Sequence, residues 1–339
     1  MKAPGFWWHD APSPAARLLA PAALVYGAVA GRRMGRPGAR AALPVVCVGN
    51  FTAGGAGKTP VALALAGLLR EAGERPAFLS RGHGGRLEGP LAVEPGRHDA
   101  DAVGDEPLLL ARAGPTVVAR DRPAGAALAQ DLGATVVVMD DGFQNPSLEK
   151  DVSIVVIDGA TGLGNGRVMP AGPLRAPMAA QWPRADALIV VGEGAAGAEA
   201  AREAEARGLP VLAARLVPEA AAAAALASRQ VLAFAGIGHP QKFFRTLEAC
   251  GARVARRRAF PDHHRFGAGE VSALVAEARR DGLLPVTTEK DRVRLEGLGL
   301  PAEILAAVRV LPVALALAEP DVARRLLGAA LARARDTLP

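Results

Sequence analysis

One short stretch limits this chain more than any other: Val45-Val-Cys-Val48, then Gly49-Asn-Phe-Thr-Ala-Gly-Gly-Ala-Gly-Lys-Thr-Pro60, then an amphipathic run to Glu71. An apolar run of strand length, a glycine-rich loop and a helical pattern predict a strand–loop–helix unit. Gly54, Gly55 and Gly57 let the backbone turn its amides inward, so Thr52, Ala53, Gly54, Gly55, Ala56, Gly57, Lys58 and Thr59 are expected to cup an anion. The helix that starts there adds its positive end. Lys58 is placed to reach the β- and γ-phosphates of a nucleotide, and the Thr59 hydroxyl to sit on Mg²⁺. ATP with Mg²⁺ is therefore the expected ligand. Thr52 stands where the generic phosphate loop has its first glycine.

Further short apolar runs follow at Ala77–Ser80, Thr116–Ala119, Thr135–Met139, Ile154–Ile157 and Ala187–Val191. Alternating with helical patterns, they predict an α/β fold: a P-loop NTPase-like, mostly parallel sheet with helices on both faces. Gly192–Ala227 is Ala-rich and reads either as helix or as a loose connection. A second α/β pattern starts at Val231. It runs through a helix at Lys242–Cys250 and a strand at Pro285–Thr288 to a closing helix at Val322–Arg333. The expected division is an apolar membrane-associating segment over 1–40, a P-loop core over 41–227, and a smaller α/β lobe over 228–339 that closes over the nucleotide.

Ala134-Thr-Val-Val-Val-Met-Asp140-Asp141 has the form of an apolar strand ending in carboxylates at the ligand-binding edge of a sheet, which places Asp140 and Asp141 to hold Mg²⁺. Either could equally cap the turn. In Gly104-Asp105-Glu106-Pro107, Asp105 is a candidate carboxylate near the acceptor hydroxyl. The same residues also make an ordinary helix start with Asp105 as cap. Asp262-His263-His264 pairs a carboxylate with imidazoles, suited to proton transfer or to holding a loop. Arg175, in a Pro/Gly-rich loop, either clamps phosphates or is solvated.

The formal charge of +6 suits an anionic partner, and composition alone does not say which. Aromatics make up 4% and no nucleic-acid motif appears, so no nucleic-acid partner is expected. Cys47 and Cys250 match no metal spacing and point to a reducing compartment. Leu18–Gly31 is almost wholly apolar but short of a bilayer span. Phe6, Trp7 and Trp8 precede it, and Arg32, Arg33, Arg36 and Arg40 follow. The pattern predicts a helix lying on an anionic membrane surface. A signal peptide and a plain buried helix are the alternatives.

Taken together, these motifs resemble the tetraacyldisaccharide 4′-kinases of lipid A synthesis, the LpxK family. The resemblance also rests on Ser80-Arg-Gly-His-Gly-Gly85, Pro170-Ala-Gly-Pro-Leu-Arg175, Phe234-Ala-Gly-Ile-Gly238, Pro240-Gln-Lys-Phe-Phe244 and Thr287-Thr-Glu-Lys-Asp291. Thr52 in place of glycine is itself usual there. The resemblance implies a kinase at the cytoplasmic face of the bacterial inner membrane that phosphorylates the 4′-hydroxyl of a lipid disaccharide with MgATP. It implies that Asp105 pairs with His263 to activate that hydroxyl, and that Arg175 serves the nucleotide phosphates. His83 and Asn145 depart from the family's usual Tyr and His. A soluble NTPase acting by hydrolysis on a non-lipid partner is the alternative reading.

Overall fold

The computed structural model describes residues 4–8 and 13–337; residues 1–3 and 9–12 of the expected amino-terminal segment and 338–339 of the expected lobe lie outside them. Among the described residues, thirteen strands form two sheets. The larger has the order β13-β8-β7-β6-β1-β5-β2-β4-β3, with β1 Val45–Gly49, β2 Pro76–Ser80, β3 Leu91–Ala92, β4 Thr116–Val118, β5 Val136–Asp140, β6 Val152–Asp158, β7 Ala187–Val191, β8 Val211–Pro218 and β13 Val313–Leu317. All its pairings are parallel except the two at the edges, β3 with β4 and β8 with β13. The smaller sheet, β10-β9-β11-β12, is wholly parallel: β9 Gln230–Ala235, β10 Arg253–Ala259, β11 Leu284–Thr287 and β12 Arg309–Val310.

The central strands are continuous apolar runs because both faces are covered. Val46 and Val48 pack with Leu65, Phe78, Val138 and Ile154 on one side. Cys47 packs with Phe51, Leu79, Met139 and Ile157 on the other. Burial pushes the Cys47 thiol up to about 12, as suits an inert small hydrophobe in a core.

Two stretches differ from the sequence reading. Gly192–Ala227 is neither one helix nor a loose linker. It holds helix Ala195–Ala206, strand β8 and helix Ala220–Leu226. The lobe expected over 228–339 also ends early, because the chain returns to the larger sheet. There β13 pairs antiparallel with β8 from Val313↔Pro218 to Leu317↔Ala214. Helix Pro320–Thr337 then buries Ala323, Leu327, Ala330 and Leu331 in the same core as helix Lys58–Glu71.

The amino-terminal helix Ala20–Met34 turns Ala23, Gly27 and Met34 inward. A Cβ on Gly27 would already touch Pro177 at 3.4 Å. Its other face leaves Leu24 75% and Val29 63% exposed. No helix among the described residues is long and apolar enough to cross a membrane. Trp7 is half-buried, and its indole donates to Pro170 O at 3.1 Å, which ties the amino terminus to the Pro/Gly loop that carries Arg175.

Candidate active site

Strand β1 lies between β5 and β6, and each neighbour ends in an aspartate, Asp140 and Asp158. The glycine loop leaves β1 between them. It reaches helix Lys58–Glu71 through Gly57 at φ +87°, a left-handed turn that side chains resist. No side chain caps this helix. The first amides of a helix have no partner within it, so those of Lys58 and Thr59 remain as donors at its positive end. The cup is narrower than the sequence suggests. Ala53 N donates to Pro173 O at 2.7 Å and Ala56 N to Gly54 O at 3.2 Å, leaving the amides of Thr52, Gly54, Gly55, Gly57, Lys58 and Thr59 without protein acceptors among the described residues.

The Thr59 hydroxyl donates to Asp140 Oδ2 at 3.0 Å. Asp140 is 2% exposed and its Oδ1 is buried with no partner. Burial, then the nearby Glu106 and Asp141, push its carboxyl up to about 7, against the pull of Lys58 and Thr59. A buried oxygen without a donor, beside a hydroxyl at the mouth of a phosphate loop, fits a hard divalent cation. Among the described residues no three His, Cys, Asp or Glu side chains converge on a metal position. Thr59 and Asp140 therefore suit a cation that keeps most of its shell of water and phosphate oxygens.

Asp141 faces elsewhere. Its backbone is left-handed, at φ +55°. Its carboxylate takes both Arg175 nitrogens, Nη1 at 2.7 Å and Nη2 at 3.2 Å, with Lys58 Nζ at 3.7 Å. Burial raises its pKa, but Lys58 and Arg175 outweigh it and hold the group well below the carboxylate range. Arg175 also donates from Nε to Thr52 O at 3.1 Å, so it is built into the loop and is not a solvated surface residue.

Asp105 begins helix Asp105–Ala111, but the cap is Gly104 at φ +91°, where a Cβ would stand 2.6 Å from His83 O. Asp105 is 4% exposed. Its Oδ1 accepts from Glu106 N at 2.9 Å. Its Oδ2 pairs with His263 Nδ1 at 3.0 Å and with Arg294 through Nε at 2.8 Å and Nη2. Lys290 Nζ stands 3.9 Å away and pairs with Glu106 at 3.2 Å. Burial pushes Asp105 up; the His263 hydrogen bond and the Lys290 and Arg294 charges overcome it, and the net shift is well down.

Lys58, Thr59, Asp140, Asp141 and Arg175 gather around the loop, and Asp105 with His263 forms an adjoining pair across the two sheets. His264 turns away to Glu270 at 2.9 Å and stacks on Phe260, so it holds its loop. Asn145 accepts from Ser147 N at 2.8 Å within its own turn, a role that moves no proton. His83 lies edge-on to His263 at 5.5 Å. Sequence reasoning missed Arg294 and the fully buried Arg122, which burial lowers to about 10. Both look like ordinary helix residues in sequence: Arg122 follows a capping Asp121, and Arg294 lies three residues after Asp291.

The family model for tetraacyldisaccharide-1-P 4′-kinase (LpxK) matches residues 15–331. A tetraacyldisaccharide 4′-kinase of Methylobacterium sp. (strain 4-46) is 64% identical over 98% of this chain and 97% of its own. That of Methylobacterium nodulans is 62% identical, over 98% and 96%. The LpxK of Aquifex aeolicus, whose crystal structure is in complex with ATP, is 26% identical with a TM-score of 0.70, covering 93% of this chain and 99% of that one. The chain belongs to the tetraacyldisaccharide-1-phosphate 4′-kinase family.

Proposed function

We propose that the chain transfers the γ-phosphoryl group of ATP to the 4′-hydroxyl of a tetraacyldisaccharide 1-phosphate at the cytoplasmic face of the inner membrane. The observation that carries the reading is that the lobe bearing His263 reaches both parts at once: a Cβ on Gly238 would lie 3.4 Å from Asp262 Oδ2 and 3.8 Å from Gly55 N of the phosphate loop, while His263 meets the buried Asp105 at 3.0 Å.

The acceptor oxygen attacks the γ-phosphorus. Its bond to phosphorus forms as the bond to the β–γ bridging oxygen breaks, and ADP leaves with that electron pair. Asp105 takes the hydroxyl proton and later returns it to water, while His263 orients the carboxylate. The amides of Gly54, Gly55, Gly57, Lys58 and Thr59, with the Lys58 ammonium, hold the phosphates. Arg175 and Lys58 turn from Asp141 to offset charge that grows on them. Thr59 and Asp140, with Asp141 beyond them, would hold Mg²⁺, which when bound neutralises phosphate charge and orients the leaving group.

Three functional units follow from this reading. Within residues 1–40 the membrane-facing part is the stretch from Leu18 to Arg36, with Leu18, Leu24, Val25 and Val29 outward and Arg32, Arg33 and Arg36 beside them. Residues 41–227, completed by the returning 313–337, form the nucleotide core. The lobe from residue 228 closes over the nucleotide, and two observations support this: Lys242 pairs with Asp158 at the end of β6, and a Cβ on Gly238 would lie 3.8 Å from Gly55 N.

The test is incubation with γ-labelled ATP and the lipid disaccharide, followed by chromatography. Label should enter lipid, and little inorganic phosphate should form when lipid is absent. Steady phosphate release without labelled lipid would favour a hydrolysing NTPase instead.

A further inference from the structure

We infer that Arg294 is a positioning residue for Asp105, through which the second lobe keeps that carboxylate ionised and turned so that one oxygen stays open to the acceptor hydroxyl. The inference rests on the reading of Asp105 as proton acceptor.

The geometry is directional. Arg294 is fixed within its own lobe before it meets Asp105. Its Nη1 donates to Gly236 O and to Asp291 Oδ1, both at 2.7 Å. Asp291 is in turn held by the Thr288 hydroxyl at 2.7 Å and by Gly236 N. Arg294 is 7% exposed and Asp291 is wholly buried. The remaining edge of the guanidinium, Nε and Nη2, meets Asp105 Oδ2, the same oxygen that pairs with His263 Nδ1. Oδ2 is thereby saturated. Oδ1 has one donor, Glu106 N, so one of its lone pairs remains for a hydroxyl proton. A planar fork sets this orientation in a way that a point charge on a flexible stem does not.

The electrostatics agree. The charged or titratable groups around Asp105 are His83, Glu106, Asp262, His263, Lys290, Asp291 and Arg294. Lys290 is engaged by Glu106, and Arg294 by Asp291. Arg294 alone makes a two-nitrogen contact with Asp105. Without it a carboxyl this buried would drift toward its neutral form, which cannot accept the proton.

The experiment is the pH profile of kcat for the full-length enzyme with saturating MgATP and lipid disaccharide. Wild type is compared with Arg294→Gln, Arg294→Lys, Asp105→Asn and the double variant Asp291→Asn/Arg294→Gln. The double variant removes the buried partner that Arg294→Gln would strand, and it is read in place of the single variant if that one fails to fold. An opposite charge at this range moves a carboxyl by about 1–3 pH units. Arg294→Gln should therefore shift the acid limb of kcat upward by at least about one unit, with KM for ATP within about twofold of wild type. Arg294→Lys should return the limb to its wild-type position at a lower plateau. An acid limb that stays in place while only the plateau falls would make Arg294 structural and end the inference. Near-normal transfer by Asp105→Asn would instead remove the underlying role of Asp105, and the inference with it.

Discussion

The exposed strip formed by Leu18, at the end of helix Pro14–Leu18, and by the outer face of helix Ala20–Met34 can be removed without touching the rest of the protein. Leu18, Leu24, Val25 and Val29 are 83%, 75%, 68% and 63% exposed, while Ala23, Gly27 and Met34 hold the helix to the body. Fully burying a Leu or Val side chain is worth about 1.5–3 kcal/mol, so these four would gain about 1–2 kcal/mol each if seated among acyl chains. Partial immersion at the headgroup boundary lowers the sum, and about 3 kcal/mol is a conservative total. Changing all four to Ser should thus cut the partition coefficient on vesicles containing an anionic lipid by about 100-fold. Arg32, Arg33 and Arg36 are kept, so residual salt-sensitive binding reports their share. The assay is sedimentation with sucrose-loaded vesicles, with thermal unfolding as the control. The midpoint should not fall, because the substituted side chains face solvent. Partitioning within about threefold of wild type, at an unchanged midpoint, would refute the idea that this strip carries the protein to its lipid substrate.

Two further substitutions probe the phosphate loop. Thr59→Val keeps the shape but deletes the hydroxyl that meets Asp140 Oδ2; the Mg²⁺ concentration for half-maximal transfer should rise about tenfold or more, and an unchanged Mg²⁺ titration would contradict the site. Phe51→Ala empties a fully buried ring position between Trp182, 4.7 Å away, and Phe143, 5.6 Å away; it should cost about 3–5 kcal/mol in urea unfolding, and a loss below about 1 kcal/mol would show that the loop does not lean on that packing.

What could be read from sequence was what is local. The strand, glycines and Gly57-Lys58-Thr59 sit in consecutive positions, so their geometry follows from chain direction alone. Asp140 ends an apolar run, which places it at the sheet edge beside β1. Pairings set by the tertiary fold were hidden. Arg294 and Asp105 are 189 residues apart, and only the docking of the two sheets joins them. Strand β8 was masked by alanine. It lies near the sheet edge and buries only Leu212 and Ala214, and Val211-Leu-Ala-Ala-Arg-Leu-Val-Pro218 carries few β-branched residues. Trp7 was read as a headgroup anchor on residue type. Its indole hydrogen instead found the carbonyl of Pro170, a partner that no spacing rule could supply.

The way the chain leaves and re-enters the larger sheet has a mechanical consequence. It departs at Pro218 and comes back at Val313, and these two residues are register partners on neighbouring strands, with Glu219 N bonded to Pro312 O at 2.9 Å. Everything between them hangs from a doubled stem one ladder rung wide. A leaf hung on a single post swings about it without stretching the wall, so Lys242 and Arg294 can part from Asp158 and Asp105 while every rung of the nine-stranded sheet stays closed.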